Sequence, residues 1–326
     1  MADDLGKADP WRRVSGPQQT TLLATISRYS LWHWIRQPYQ LGRPAKHAGS
    51  AGSKLLLSAR SAVYDSVINH FLNGYAELAD CRLRPETGPL VILLYRLMAA
   101  FDDEYECRVR EGGSMEFGAI LKSAPVQMHM DALSRFLADH PERHAIRDFL
   151  EGYAADNYKR YLALTRSSGT AGNISHLIEM VELDSGGFLV CTAHVIGIFN
   201  RHAPTADIIA EFAHLGVVGK LADDMVDVWS DYREDVANIL SGVCREYPEE
   251  YRVLAAHAEA APRVGYRWWR ARCPRSFALF TEILATHRSA LSARSLGVAG
   301  DLMLLPAAWG GPATRPAATE RGPGPS

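Results

Sequence analysis

From residue 54 onward the sequence keeps returning to the period of an α-helix. In KLLLSARSAVYDSVINHFLNGYAELAD (54–80), the residues Leu57, Val63, Val67, Phe71 and Tyr75 recur at spacings dominated by four. That spacing lines them along one face of a helix. Thr87 followed by Pro89 predicts a helix start ahead of the apolar run LVILLYRLMAAF (90–101). Further helical patterns cover about 116–138, 142–166, 171–200, 205–232 and 263–297. No segment alternates with the period of two that marks a half-buried strand, and no internal repeat is present. The expectation is an all-α chain of about eight to ten helices, packed as a bundle with its ligand site in the core between facing helices.

Composition agrees with a folded core. Of 326 residues, 47% are hydrophobic and 22% charged, the balance of a globular protein. A formal net charge of −2 argues against nucleic-acid binding, which calls for a basic excess. Cys81, Cys107, Cys191, Cys244 and Cys273 are dispersed, with no metal-finger spacing, and read as reduced thiols. The N-terminal MADDLGKADPWRR lacks the apolar stretch of a secretory signal. The most apolar segment, 174–199, is interrupted by Glu179, Glu182 and Asp184, so no stable membrane insertion and a cytoplasmic location are expected. Three regions follow: an irregular segment over 1–50, a helical domain over 51–300 and a low-complexity tail over 301–326, expected to be disordered. Within the first, SLWHWIRQPYQL (30–41) is a candidate lid, or a surface anchor, ahead of the linker-like GRPAKHAGSAGS (42–53).

Two acidic clusters stand out against this background. Asp102-Asp103-Glu104-Tyr105-Glu106 closes the first apolar run as DDxxE. About 120 residues on, Asp223-Asp224-Met225-Val226-Asp227 gives DDxxD, and Asp231 extends it by a turn. On a helix, Asp102 and Glu106 point together while Glu104 turns away, and Asp223, Asp227 and Asp231 form a carboxylate stripe. Like charges at this spacing repel by a few tenths of a kcal/mol per pair. Divalent cations compensate such a stripe; Mg²⁺ takes hard oxygen ligands, usually one or two carboxylates plus phosphate oxygens. One such string alone is commonly a solvated helix end. Two of them, each closing an apolar helical run, point to a metal clamp at the mouth of an apolar channel.

In FDDEYE (101–106) and DDMVDVWSD (223–231) the chain resembles the class I isoprenoid synthases, the fold shared by trans-prenyltransferases and class I terpene synthases. The resemblance is strongest over about 88–110 and 175–240. It implies a helical bundle with a central apolar active-site cavity, and a trinuclear Mg²⁺ cluster binding an isoprenyl diphosphate substrate. Asp102, Asp103, Glu106, Asp223 and Asp227 are then catalytic, and these with Asp224 and Asp231 hold the metal. The triad spacing of bacterial terpene synthases is present at Asp223, Asp227 and Asp231, but every member is Asp, and the DDxxD core is of prenyltransferase type. A homodimer is a further implication.

The Gly186-Gly187 pair inside VELDSGGFLV (181–190) predicts a helix break or a close approach. By the same resemblance Asp184 is a linker residue, with Ser185 or Gly186 supplying a carbonyl toward the substrate. Val181 stands where the family places a diphosphate-sensing Arg, which leaves Arg160 or Arg166 as substitutes. Lys159 and Arg160 are candidate diphosphate contacts, with a solvated helix face as the alternative; Arg233 and Asn238 follow the second motif closely enough to contact phosphate or metal-bound water, and Tyr266 with Arg267 resembles the family's Arg–Tyr pair. Tyr75, Tyr95, Phe101, Phe188, Trp229, Trp268 and Phe277 are candidate cavity aromatics; of these, Phe101, Phe188, Trp229 and Trp268 are the leading choices, since aromatic faces stabilise cations. Chain elongation needs cations for a second diphosphate, and Arg43, Lys46, His47 and Lys54 fall in a linker-like setting. Cyclisation of one C15 or C20 diphosphate, with diphosphate release, is therefore favoured over prenyl coupling. A di-iron bundle needs two Glu-x-x-His pairs and the chain offers only Glu211–His214; no His-Asp dipeptide supports a metal phosphohydrolase. A non-catalytic helical binding module remains the alternative outside isoprenoid chemistry.

Overall fold

The computed structural model describes residues 10–15, 66–168, 173–234, 236–258 and 266–309. Among these residues there is no strand. In chain order the helices are α1 (Pro10–Ser15), α2 (66–79), α3 (Thr87–Glu111), α4 (Phe117–Leu121), α5 (Ala124–Leu137), α6 (Arg143–Ser168), α7 (Ile174–Val181), α8 (Gly187–Asn200), α9 (Ala206–Glu234), α10 (Ile239–Arg245), α11 (Pro248–Ala258), α12 (Tyr266–Arg272), α13 (Pro274–Ser289) and α14 (Arg294–Trp309). The all-α bundle expected from periodicity is the observed fold. Two expected single helices are divided. Pro125 opens α5 and separates it from α4, and Pro274 opens α13 after α12; proline lacks the N–H an interior helical turn requires but suits a first turn.

Both expected domain edges move outward. Trp11 and Val14 of α1 are buried, and Trp11 Nε1 donates to Thr281 Oγ1 of α13 (3.2 Å). At the other end α14 continues past residue 300 to Trp309 because Leu302, Leu304 and Leu305 are fully buried. The lid and linker stretches over 30–53, Lys54 and the tail beyond 309 lie outside the described residues.

α9 is the axis of the bundle. Ile208, Phe212, Leu215, Val218, Leu221, Met225 and Val228 are buried on several of its faces, the pattern of a helix enclosed all round. It packs against α8, α10, α13 and α14. The stretch Ile174–Asn200 is long and apolar enough by composition to cross a membrane, yet 61% of its most apolar window is buried inside the bundle. Its helix does not run straight through: Glu182–Gly186 form one π-helical turn between α7 and α8. α9 crosses this turn at Gly216, where a Cβ would stand 2.2 Å from Ser185 O and 2.8 Å from Gly186 Cα. The glycine pair thus marks both a break and a close approach.

The first amides of a helix have no partner within it, and here carboxylates from other helices accept them. Glu211 of α9 accepts from the N–H groups of Ser292 (3.0 Å) and Ala293 (3.1 Å), and from the Ser292 hydroxyl, ahead of α14. Glu250 of α11 accepts from Arg275 N (2.9 Å) and Ser276 N (2.7 Å) of α13. α9 and α13 also meet through a histidine pair, His214 Nδ1 to His287 Nδ1 at 3.0 Å.

Two outcomes test these contacts. Gly216→Ala places a methyl against backbone that cannot step aside, and urea unfolding should show a loss of about 2 kcal/mol or more. Burial first, and the neighbouring His214 second, lower the pKa of His287 to about 4, below its unfolded value of about 6.5. Its contribution to stability is complete above pH 6.5 and is lost as pH falls toward 4, with a slope approaching about 1.4 kcal/mol per pH unit. His287→Leu should remove that part of the slope in denaturation curves taken across the window.

Candidate functional site

A cavity of about 790 Å³ lies between α3, α4, α5, α6, the π turn and α8, within the range of small-molecule pockets. Its body is apolar, with Leu94, Leu97, Met98 and Phe101 from α3, Phe117 and Leu121 from α4, Leu133 and Leu137 from α5, and Phe188 from α8. One end is polar and is built from Asp102, Tyr105, Asn157, Tyr161 and Asp184. Phe101 meets Tyr158 edge-on at 5.6 Å, and Tyr105 meets Tyr161 at 5.9 Å, so aromatic rings line the approach to the carboxylates.

Local hydrogen bonds hold this end in shape. The π turn frees Leu183 O, which accepts from Asn157 Nδ2 at 2.7 Å. Gly187 lets Asn157 seat there, since a Cβ would be 2.9 Å from that nitrogen. Tyr153 donates to Gly187 O (2.9 Å) and Tyr158 donates to Met115 O (2.7 Å). Burial pushes the Tyr153 hydroxyl and the Cys191 thiol of the cavity wall up to about 12, so both stay neutral.

The charges at the mouth are unevenly balanced. Burial, then Asp184 and Glu106, raise the Asp102 carboxyl to about 7, with Lys220 opposing. Asp102 opens into the cavity, so water reaches its surface while protein surrounds it. Asp184 is raised by burial and by Asp223, again against Lys220. On α9, burial first raises Asp231 to about 7, with Asp224 and Asp227 adding to it, while Asn238 and Lys220 oppose. Lys220 Nζ lies 3.2 Å from Asp224 Oδ1 and 3.5 Å from Asp223 Oδ2, and its charge is felt by Asp102, Asp184 and Asp231. Through Asp184 and Lys220 the charges of the two acidic motifs influence one another.

The motif residues do not all face this unit. Glu104 turns to Arg108 (2.7 Å), whose guanidinium also reaches Ser114 O and Ala119 O. Asp103 lines a shallow groove on the other side of α3 with Tyr95 and His129. Asp224 is 1% exposed, and its Oδ2 accepts from Ile239 N (2.7 Å), so it serves α10 as Glu250 serves α13. Asn238 caps α10 by accepting from Ser241 N, and its amide donates to Asp231 Oδ2 and to Asp224 O, both at 2.8 Å. It acts on the acidic stripe by orienting Asp231.

The expected cationic contacts are not brought to the mouth. Lys159 and Arg160 are exposed on α6 and are not among the side chains that line the cavity. Arg233 is exposed and donates to Ala258 O (3.0 Å). Arg267 is exposed beside Tyr266, which stacks on Trp11 at 5.4 Å. The Arg166 side chain lies outside the described residues. Of the expected cavity aromatics, Phe101 and Phe188 line the wall. Trp229 and Trp268 instead pack with Trp269 in the core, at 5.3 Å from Trp229 and 5.1 Å from Trp268, because Trp229 projects from the side of α9 that meets α12. Tyr75 and Phe277 are core as well.

Sequence reasoning passed over Lys220, Asn157, Tyr105 and Tyr161. The four-residue spacings Asn157–Tyr161 and Lys220–Asp224 were the available signals. The donor set is all-oxygen and mutually repelling, which fits a hard divalent cation. Among the described residues no three His, Cys, Asp or Glu side chains converge on one point as the chain stands.

No protein-family model matches this chain, and no curated protein does. Among solved structures, a polyprenyl synthase from Roseobacter denitrificans is similar, with 15% identity, 92% of this chain and 98% of that chain covered, and a TM-score of 0.41.

Opposite signs are expected for two charge deletions. Asp102→Asn relieves repulsion and should raise the thermal midpoint at pH 8 without divalent cations. Asp224→Asn breaks a buried pair and should lower stability by roughly 3 kcal/mol in the same assay.

Proposed function

We propose that the chain is a class I terpene synthase that ionises an isoprenyl diphosphate and cyclises the resulting cation. The observation that carries this reading is the apolar cavity closed at one end by Asp102 and Asp184, which Lys220 links electrostatically to Asp223, Asp224 and Asp231. Such a space accepts an apolar chain bearing an anion at one end, provided cations neutralise that end.

Asp102 and Glu106 on α3, with Asp223, Asp227 and Asp231 on α9, would hold Mg²⁺, and Asn238 keeps Asp231 in place. When bound, Mg²⁺ supplies Lewis-acid neutralisation of the departing diphosphate. The chain's own part is to position and to exclude. Leu94, Leu97, Met98 and Leu133 surround the hydrocarbon and keep water from the reacting carbons. Phe101, Phe188, Tyr105 and Tyr158 present ring faces and edges around the path of the cation; faces attract positive charge. The neutral Cys191 thiol and Tyr153 hydroxyl offer no strong nucleophile to trap it. Loss of a proton, or capture of water at the mouth, ends the sequence.

The purified chain with Mg²⁺ is to be given C10, C15 and C20 allylic diphosphates, each with and without isopentenyl diphosphate. Phosphate release and mass spectrometry then read the reaction. A hydrocarbon or alcohol from a single C15 or C20 substrate is the expected result. Product only in the presence of isopentenyl diphosphate would make the chain a coupling enzyme. Absence of diphosphate release in every combination would leave a binding module. Asp102→Ala and Asp223→Ala should each reduce turnover to background while far-UV circular dichroism keeps its helical form.

A further inference from the structure

Lys220 stands where a cation would otherwise be required. It lies on α9 at i−3 from Asp223 and i−4 from Asp224, and is half-buried with its ammonium between them. The two partners differ. Asp224 is 1% exposed, and beyond the ammonium its Oδ1 has no hydrogen-bond partner. Asp223 is 59% exposed and contacts the ammonium at a longer 3.5 Å, so it can release Lys220 to bind something else. The same charge also acts on Asp184 and Asp102, the two carboxylates at the polar end of the cavity. One ammonium faces Asp102, Asp184, Asp223, Asp224 and Asp231, so carboxyl groups outnumber cations here and a diphosphate calls for added positive charge.

We propose that Lys220 is the side chain that receives the diphosphate, held ready by Asp223 and Asp224 until a divalent cation takes over Asp223. This rests on the diphosphate reading above. An ammonium has three donors. With Asp224 retaining one, the others are available for phosphate oxygens once Asp223 has turned to the metal. Lys220 and the metal therefore compete in the empty site and cooperate in the loaded one. The exposed Lys159, Arg160, Arg233 and Arg267 lack this placement.

The competition and the cooperation have opposite signatures in one variant. Binding of Mn²⁺ alone, and of inorganic diphosphate at saturating Mn²⁺, is to be measured by calorimetry on the full chain and on Lys220→Gln. The variant should bind Mn²⁺ more tightly, because a competing charge is gone. It should bind diphosphate about tenfold or more weakly, the loss of a hydrogen bond to a charged group. Lys220→Arg, which keeps the charge, should retain most of the diphosphate affinity. Equal diphosphate affinity in wild type and Lys220→Gln would overturn the inference. So would a loss of Mn²⁺ binding as large as that of diphosphate, which would mark Lys220 as support for the fold. Should Lys220→Gln lose its helical circular dichroism, Lys220→Met keeps the aliphatic stem and carries the same measurement. If the wild type binds no diphosphate with Mn²⁺ present, the functional reading itself falls and this inference with it. That outcome is distinct from a defect confined to the variant.

Discussion

The contact between Gly216 and the π turn at Ser185 and Gly186 is the tightest backbone crossing the site depends on. A side chain of any size on Gly216 would push α9 off the turn. Gly216 and Lys220 are four residues apart, so the face of α9 that meets the turn continues directly into Lys220 and Asp223. The same turn carries Asp184 into the cavity and exposes Leu183 O to Asn157. One close approach thus sets α9 directly behind the turn that, with α6 and α8, forms the polar end of a cavity whose walls are otherwise hydrocarbon. A π turn is well suited to this, because its extra residue leaves carbonyls without intrahelical partners.

Acidic residues in this bundle divide by what they accept. Glu211, Glu250 and Asp224 are buried and take up N-terminal amides of α14, α13 and α10. Those interactions satisfy donors that would otherwise be stranded in the interior. Among the described residues Asp102, Asp184, Asp223 and Asp231 accept no comparable pair of helix-start amides; each feels the Lys220 charge, with Asn238 also holding Asp231 and Ser185 also bonding Asp184. Fold stability does not explain that second group. Like charges held together at the end of a low-dielectric cavity lower stability, and perturbed carboxylates in a cleft mark functional sites.

Much of this was legible in the residues. The four-residue apolar spacing specifies helices because burial of one face requires it, and the bundle follows. Both acidic strings are visible, as is the glycine pair, whose backbone demand is local. Helical phase also separates Glu104 from Asp102. What failed was assignment across helices. Lys159 and Arg160 lie between Asn157 and Tyr161 in the sequence, yet both are exposed and neither lines the cavity. Trp229 belongs to the same helix as Lys220, but α12 and α13 cover its side of α9.

The sequence alone determined the class of structure and the inventory of chemistry, because periodicity and charge are properties of short segments. It could not tell which carboxylates would be consumed by helix ends, since Ile239 N meets Asp224 only after α10 folds back on α9. Nor could it show that the Lys220 ammonium would pair with Asp223 and Asp224 while its charge also acts on Asp184 and Asp102. Those decisions rest on how helices pack on α9: α10 folding back on Asp224, and the π turn setting Asp184 where the Lys220 charge reaches it.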